Sequence, residues 1–251
     1  MIDFITGNKF KRLCNHSLDE SGYIKHSEPK NGEPLKIFVK IDKIHQFFKS
    51  SPKVPFILIT HNGDLSVGGS LLNYLDDPYL ISWYGQNINT VHYKLKSIPI
   101  GIANEIWPHG NEIDLMDIIN EDNKKEKLVY VNFEITNFSR NDCLRELSKF
   151  GLGLEEKKPF KEYLRELSKS YFVISPEGNG IDCHKTWESL YLKTIPIVTR
   201  SINIENYSDL PILIIDDWSK FNLNSLSTDL YYDMIKDFNP ETINIKNFLD
   251  V

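Results

Sequence analysis

The run SPEGNGIDCHKTWESLYLKTIPIV, residues 175–198, decides how the rest of the chain is read. Its lead-in, YFVIS at residues 171–175, has the length and β-branched content of a buried strand, and a corner of Pro176, Glu177, Gly178, Asn179 and Gly180 stops it. A helix follows from about Asp182, an acceptable N-cap, to Leu192, and residues 195–198 are again a short apolar strand. Strand, corner, helix and strand imply a right-handed crossover between parallel strands. At about 100° per residue, Trp187, Leu190 and Tyr191 share one side of the helix while His184, Lys185 and Glu188 share another. One face packs and the other offers chemistry. A glycine corner feeding a helix N-terminus presents free N–H groups and the positive end of the helix dipole, which suit phosphate oxygens. Lys185 could meet a diphosphate as a point charge and Glu188 could accept hydrogen bonds from two ribose hydroxyls, or the two could form a solvated i,i+3 pair.

Working outward, LVYVNF at residues 128–133 reads as a strand. Residues 140–150 and 160–167 carry apolar side chains at helical spacing, and ILII at 212–215 is a further strand. The first half offers four short apolar runs, at residues 36–41, 55–60, 80–84 and 98–102, each of strand length. NEDNKKEK, residues 120–127, has no apolar side chain and is the expected linker between two domains. Alternating strands and helices make the chain α/β with Rossmann-like topology, although no G-x-G-x-x-G fingerprint occurs.

Composition narrows the function classes. The 251 residues are 41% apolar and 25% charged, a globular balance that excludes a disordered or fibrous chain. A net charge of −6 supplies no field for a phosphate backbone, so no nucleic-acid partner is expected. No apolar stretch is long enough to span a bilayer and the start lacks signal-peptide order, which points to a soluble chain without a transmembrane segment. Three cysteines without C-x-x-C spacing suggest neither disulfides nor zinc and fit a reducing, cytoplasmic compartment. The histidines lack metal-ligand spacing, and no D-x-D triplet occurs, so a metal-independent protein without a cofactor is expected.

With those residues in view, segment 171–198, continued by LPILIIDDWSKF at 210–221, resembles the donor-binding half of exostosin-like glycosyltransferases. That family has a strand ending in Pro-x-Gly, an S-x-R-x-x-E helix and an I-P-V strand. This chain has Pro176-Glu177-Gly178, Cys183 to Glu188 in the helix, and Ile195-Pro196-Ile197-Val198, with Lys185 where Arg is usual and Cys183 where Ser is usual. THNGD at 60–64, WYGQN at 83–87 and KLKSIPIGIAN at 94–104 resemble the amino-terminal part of the same group more loosely. The resemblance implies a GT-B-like fold, two Rossmann-like domains facing a central cleft. Residues 1–124 would form the acceptor side, residues 125–225 the nucleotide-sugar domain, and residues 226–251 a tail packing back on the first domain.

The implied activity is transfer of a sugar from a UDP- or GDP-linked donor to a glycan or other hydroxyl acceptor, with inversion. Donor contacts would come from Arg140, Glu177, Gly178, Asn179, Gly180, His184, Lys185 and Glu188, although Arg140 could equally be an exposed first-turn residue. The catalytic base would be Asp64 or, second, His61, just after a strand at the sheet edge where open α/β folds place ligands. A plain tight turn is the alternative reading of THNGD. Trp83, Asn87 and Asn104 would line the acceptor side, with core packing the competing role for Trp83. Two other functions stay open: a sugar- or nucleotide-binding module without catalysis, and a scaffold subunit of a glycan-assembly complex.

Overall fold

The computed structural model describes residues 2–30 and 32–249. The first half runs α1 (Gly7–Arg12), β1 (His16–Asp19), β2 (Gly22–Lys25), β3 (Leu35–Lys40), α2 (Ile44–Phe48), β4 (Phe56–His61), β5 (Leu80–Gly85), β6 (Leu95–Ser97) and α3 (Glu112–Asn120). The second runs β7 (Lys127–Tyr130), α4 (Phe138–Ser148), α5 (Phe160–Ser168), β8 (Ser170–Ile174), α6 (His184–Tyr191), β9 (Ile195–Thr199), α7 (Ile202–Glu205), β10 (Leu213–Ile215) and α8 (Thr228–Ile235). The strands form a mixed six-stranded sheet, ordered β2-β1-β3-β4-β5-β6, and a parallel four-stranded sheet, ordered β10-β9-β8-β7. The protein is α/β, and this arrangement is compatible with two Rossmann-like domains.

Strand position follows from composition. Every residue of β4, FILITH, is buried, as a central parallel strand covered on both faces requires. β2, GYIK, has no fully buried residue and closes the edge of its sheet antiparallel to β1. That hairpin was not expected from the sequence, because HSLD and GYIK have little of the apolar content by which the other strands were recognised. Residues 98–102 are buried throughout, as a short apolar run should be, yet they form no strand. Their N–H groups go to three different acceptors: Ile98 to the Gly85 carbonyl, Ile100 to the Asp182 carboxylate and Ile102 to the Ile5 carbonyl.

Two interior clusters belong to single sheets. One gathers Ile37, Leu58, Trp83 and their neighbours around the first, and another gathers Phe172, Ile195, Leu147 and Trp218 around the second. A third joins the halves: Phe4, Ile5, Phe10 and residues 98–102 pack with α3, α5 and the Trp187, Leu190 and Tyr191 face of α6. The predicted linker is less exposed than its composition suggested. Lys125 is drawn inward, donating to the carbonyls of Ser170 and Leu192 and to Thr194 Oγ1, and burial pushes its pKa down to about 7. The tail also differs from expectation. Helix α8 packs on the second sheet through Leu230, Tyr231, Met234 and Ile235, and only the later residues Ile243, Ile245 and Leu249 reach the shared cluster.

The helix α6 begins at His184, two residues beyond the expected N-cap. Asp182 does not cap it. Its buried carboxylate instead accepts the Ile100 N–H at 2.8 Å and the Trp187 indole N–H at 2.9 and 3.0 Å, while its own N–H donates to Asn87 Oδ1 at 2.8 Å. Burial raises the Asp182 pKa from 3.8 to about 6.

Asp182→Ala orphans two buried donors and should cost about 2–4 kcal/mol in urea unfolding at pH 7. Between pH 3.8 and about 6 the unfolded chain has lost this proton and the folded chain retains it, so Asp182 makes stability fall as pH rises through that window. The variant should lose that part of the slope. A cost below about 1 kcal/mol, with the slope unchanged, would contradict this role.

Candidate functional site

The carboxyl ends of the two sheets feed a cleft with two lobes. The loops after β7 and β8, with α5 and α6, form a lobe of about 680 Å³ that includes Arg140, Tyr163, Gly178, Lys185 and Glu188. Residues of the first half form a second lobe of about 710 Å³, lined by Asn8, Asn62, Gln86, Asn104 and Trp107 and by the ion-paired Lys11–Asp19 and Lys40–Glu20. Three residues line both lobes: Asp64, Ile100 and His184.

In the first lobe the corner closes on itself, because the Gly178 N–H donates to the Gly180 carbonyl at 3.0 Å. Gly178 is therefore not the free donor expected. Among the described residues the N–H groups of Asn179, Gly180, His184 and Lys185 donate to no protein acceptor, and the last two open α6. A side chain at Gly180 would put its Cβ 2.5 Å from Asn87 Nδ2, so only glycine lets the corner approach the first half so closely.

Lys185 lies with its ammonium 5.3 Å from the Tyr163 ring centroid and, among the described residues, forms no ion pair. Burial lowers its pKa. Glu188, one turn on, is 4% exposed and accepts the Tyr163 hydroxyl at 2.8 Å, and burial raises its pKa. The solvated i,i+3 pair is not what forms: among the described residues the two make no ion pair, with Glu188 buried and Lys185 half-buried beside a lobe large enough for a small ligand.

Arg140 sits in the first turn of α4, whose N-cap Asn137 accepts its N–H. Its Nε and Nη1 donate to the carbonyls of Glu177 and Glu134 at 3.0 and 2.6 Å, leaving Nη2 beside Gly178. Glu177 thus serves through its carbonyl; it lines two other hollows, beside Thr199, and not this lobe.

On the acceptor side the structure separates the expected residues. Trp83 is wholly buried, with its indole donating to Thr60 Oγ1 at 2.8 Å, so its ring offers no face to a ligand. Asn87 is also buried and acts as a brace: at φ 59° it gives Nδ2 to the Asp64 carbonyl and accepts the Asp182 N–H. Asn104 does line the second lobe, donating to Asn62 Oδ1 and accepting from the Asn8 N–H. Asp64 is exposed at the seam.

His61 is ill placed to take a proton. Its Nε2 donates to the Pro99 carbonyl and its Nδ1 accepts the Asn62 N–H at 2.8 Å, so both ring nitrogens are engaged. Trp107 was passed over in the sequence. It is 55% exposed in the second lobe and stacks on His109 with centroids 6.2 Å apart, and an aromatic between Glu105-Ile106 and Pro108-His109-Gly110 was its only signal.

Among the described residues no group of three or more His, Cys, Asp or Glu side chains is placed to hold a metal ion. No protein-family model matches the chain, and no curated protein shows significant similarity to it.

At pH 8, Glu188→Gln keeps an acceptor for the Tyr163 hydroxyl and removes the cost of a buried charge. Because the folded pKa of Glu188 is raised, that cost grows as pH rises, so the variant should unfold in urea at equal or higher concentration than the wild type. A loss above about 1 kcal/mol would mean that the ionised carboxylate is a net stabiliser.

Proposed function

We propose that the protein is a glycosyltransferase of GT-B type that moves a sugar from a UDP- or GDP-linked donor to a hydroxyl of a glycan or similar acceptor, with inversion. The observation that carries this reading is the pairing, on one face of α6, of Lys185 at the first turn, which forms no ion pair among the described residues, with a buried Glu188 one turn later, both lining the same lobe. The first-turn N–H groups, Lys185 and Arg140 Nη2 supply positive charge for a departing diphosphate. Glu188 supplies two oxygens for vicinal ribose hydroxyls, with Tyr163 fixing its orientation. The second lobe, rich in amides and bearing the half-exposed ring of Trp107, suits a polyhydroxylated acceptor that stacks one sugar face and hydrogen-bonds its hydroxyls. The two substrates would then meet at the seam, sheltered between the sheets.

Among the described residues no helix is long and apolar enough to cross a membrane. The free thiols of Cys14, Cys143 and Cys183 support a cytoplasmic setting.

A thermal-shift panel of UDP, GDP, CMP and their sugars tests the reading, since a ligand at 100 times its Kd stabilises by about 2.7 kcal/mol. One nucleotide should raise the melting temperature selectively, and Lys185→Ala should weaken its binding by about 1.5–3 kcal/mol, the worth of a charged hydrogen bond. No response to any nucleotide, or an unchanged affinity in Lys185→Ala, would contradict it. Binding without nucleotide release from any donor would leave a non-catalytic binding module.

A further inference from the structure

We infer that His184, from the second half of the chain, is the group that takes the acceptor's proton, with Asp64 across the seam as the charge that steadies it. The inference rests on the transferase reading and adds to it the identity of the base.

A reaction between ligands in two lobes occurs where the lobes meet, and among the described residues only Asp64, Ile100 and His184 line both. Ile100 has no proton-accepting side chain. His184 has one in a fixed state: its Nδ1 is 2.8 Å from the Gly101 carbonyl and must donate to it, which puts the ring's lone pair on Nε2. No protein group takes up Nε2 among the described residues, in contrast to His61, whose two nitrogens are both engaged.

The acceptor for Nδ1 is itself built in. Gly101 has φ 65°, and a Cβ there would lie 2.2 Å from the Ile5 carbonyl, so only glycine turns its own carbonyl toward α6 at this point. Burial keeps the ring neutral, with a pKa near 4, and Asp64 acts in the opposite sense, favouring the cation. His109 is the other ring nearby, 6.3 Å away between centroids, and it opposes the cation. Asp64, by contrast, is exposed and, among the described residues, carries no hydrogen bond that orients its carboxylate.

In the step itself the acceptor O–H proton passes to His184 Nε2 as the acceptor oxygen bonds to the anomeric carbon. The bond from that carbon to the diphosphate oxygen breaks, its electron pair leaves with the nucleoside diphosphate, and Lys185 and the α6 N–H groups meet the charge. Position in the chain fits: His184 is the first residue of α6 and Lys185 the second, so proton acceptor and leaving-group cation are held by one turn.

The test is nucleotide release by the full chain from UDP-glucose, UDP-N-acetylglucosamine and GDP-mannose, with water and with mixed oligosaccharides as acceptors. His184→Asn keeps an amide N–H where Nδ1 donates to Gly101 and removes Nε2. It should lower release at least 100-fold while leaving the affinity for UDP or GDP, read by thermal shift, within twofold of wild type. His184→Gln serves if the Asn variant does not fold, with the same expected loss. Asp64→Asn should lose about tenfold or less. Release that persists in a folded His184 variant above a third of the wild-type rate, or a loss confined to Asp64→Asn, overturns the assignment of the base and leaves the transferase reading standing. A wild-type protein that releases nucleotide from no donor overturns both.

Discussion

The structure depends on one buried carboxylate. Asp182 lies at the junction of the two halves, where it takes the Ile100 N–H from one side and the Trp187 indole N–H from the other. Two residues on, His184 donates to the Gly101 carbonyl, so side chains from the start of α6 grip two adjacent residues of an extended segment that belongs to the first half. Asn87 completes the clamp by accepting the Asp182 N–H. A buried carboxylate is costly unless its lone pairs are filled, and here the donors are a backbone amide and an indole that have no other partner. The carboxylate and its donors therefore need one another, which fixes α6 against residues 98–102 more tightly than apolar packing alone would.

The cleft is a consequence of that attachment. Once Trp187, Leu190 and Tyr191 are committed to the shared core, the opposite face of α6 has to carry His184, Lys185 and Glu188 toward the space between the sheets. The same helix N-terminus adds its unpaired N–H groups. Burial at this face is why Lys185 falls and Glu188 rises in pKa. The second lobe has a different character, with the ion pairs Lys11–Asp19 and Lys40–Glu20 in its wall and amides linked through Asn8, Asn62 and Asn104.

Much of this was legible in the sequence where local pattern and tertiary role coincide. The β8–α6–β9 unit and both faces of α6 follow from periodicity, because a helix between two buried strands has only one way to hide Trp187 and Leu190. What escaped was set by partners distant in the chain. Asp182 has the chemistry of an N-cap, and nothing local says that its carboxylate is used by Ile100, 82 residues away. Residues 98–102 read as a short apolar strand, but their N–H groups divide among the end of β5 at Gly85, the Asp182 carboxylate and the Ile5 carbonyl. Trp83 and Trp107 are both aromatics near polar residues, and only the sheet's position separates the buried one from the half-exposed one. The GT-B-like likeness and the roles of individual site residues go beyond fold and remain the proposal made above.

The most direct measurement is a crystal structure of the protein with UDP or GDP, whichever binds. The account predicts the diphosphate within about 3 Å of Lys185 Nζ and of the first N–H groups of α6, with the ribose hydroxyls on Glu188. A nucleotide seated in the second lobe, or away from α6 altogether, would contradict it.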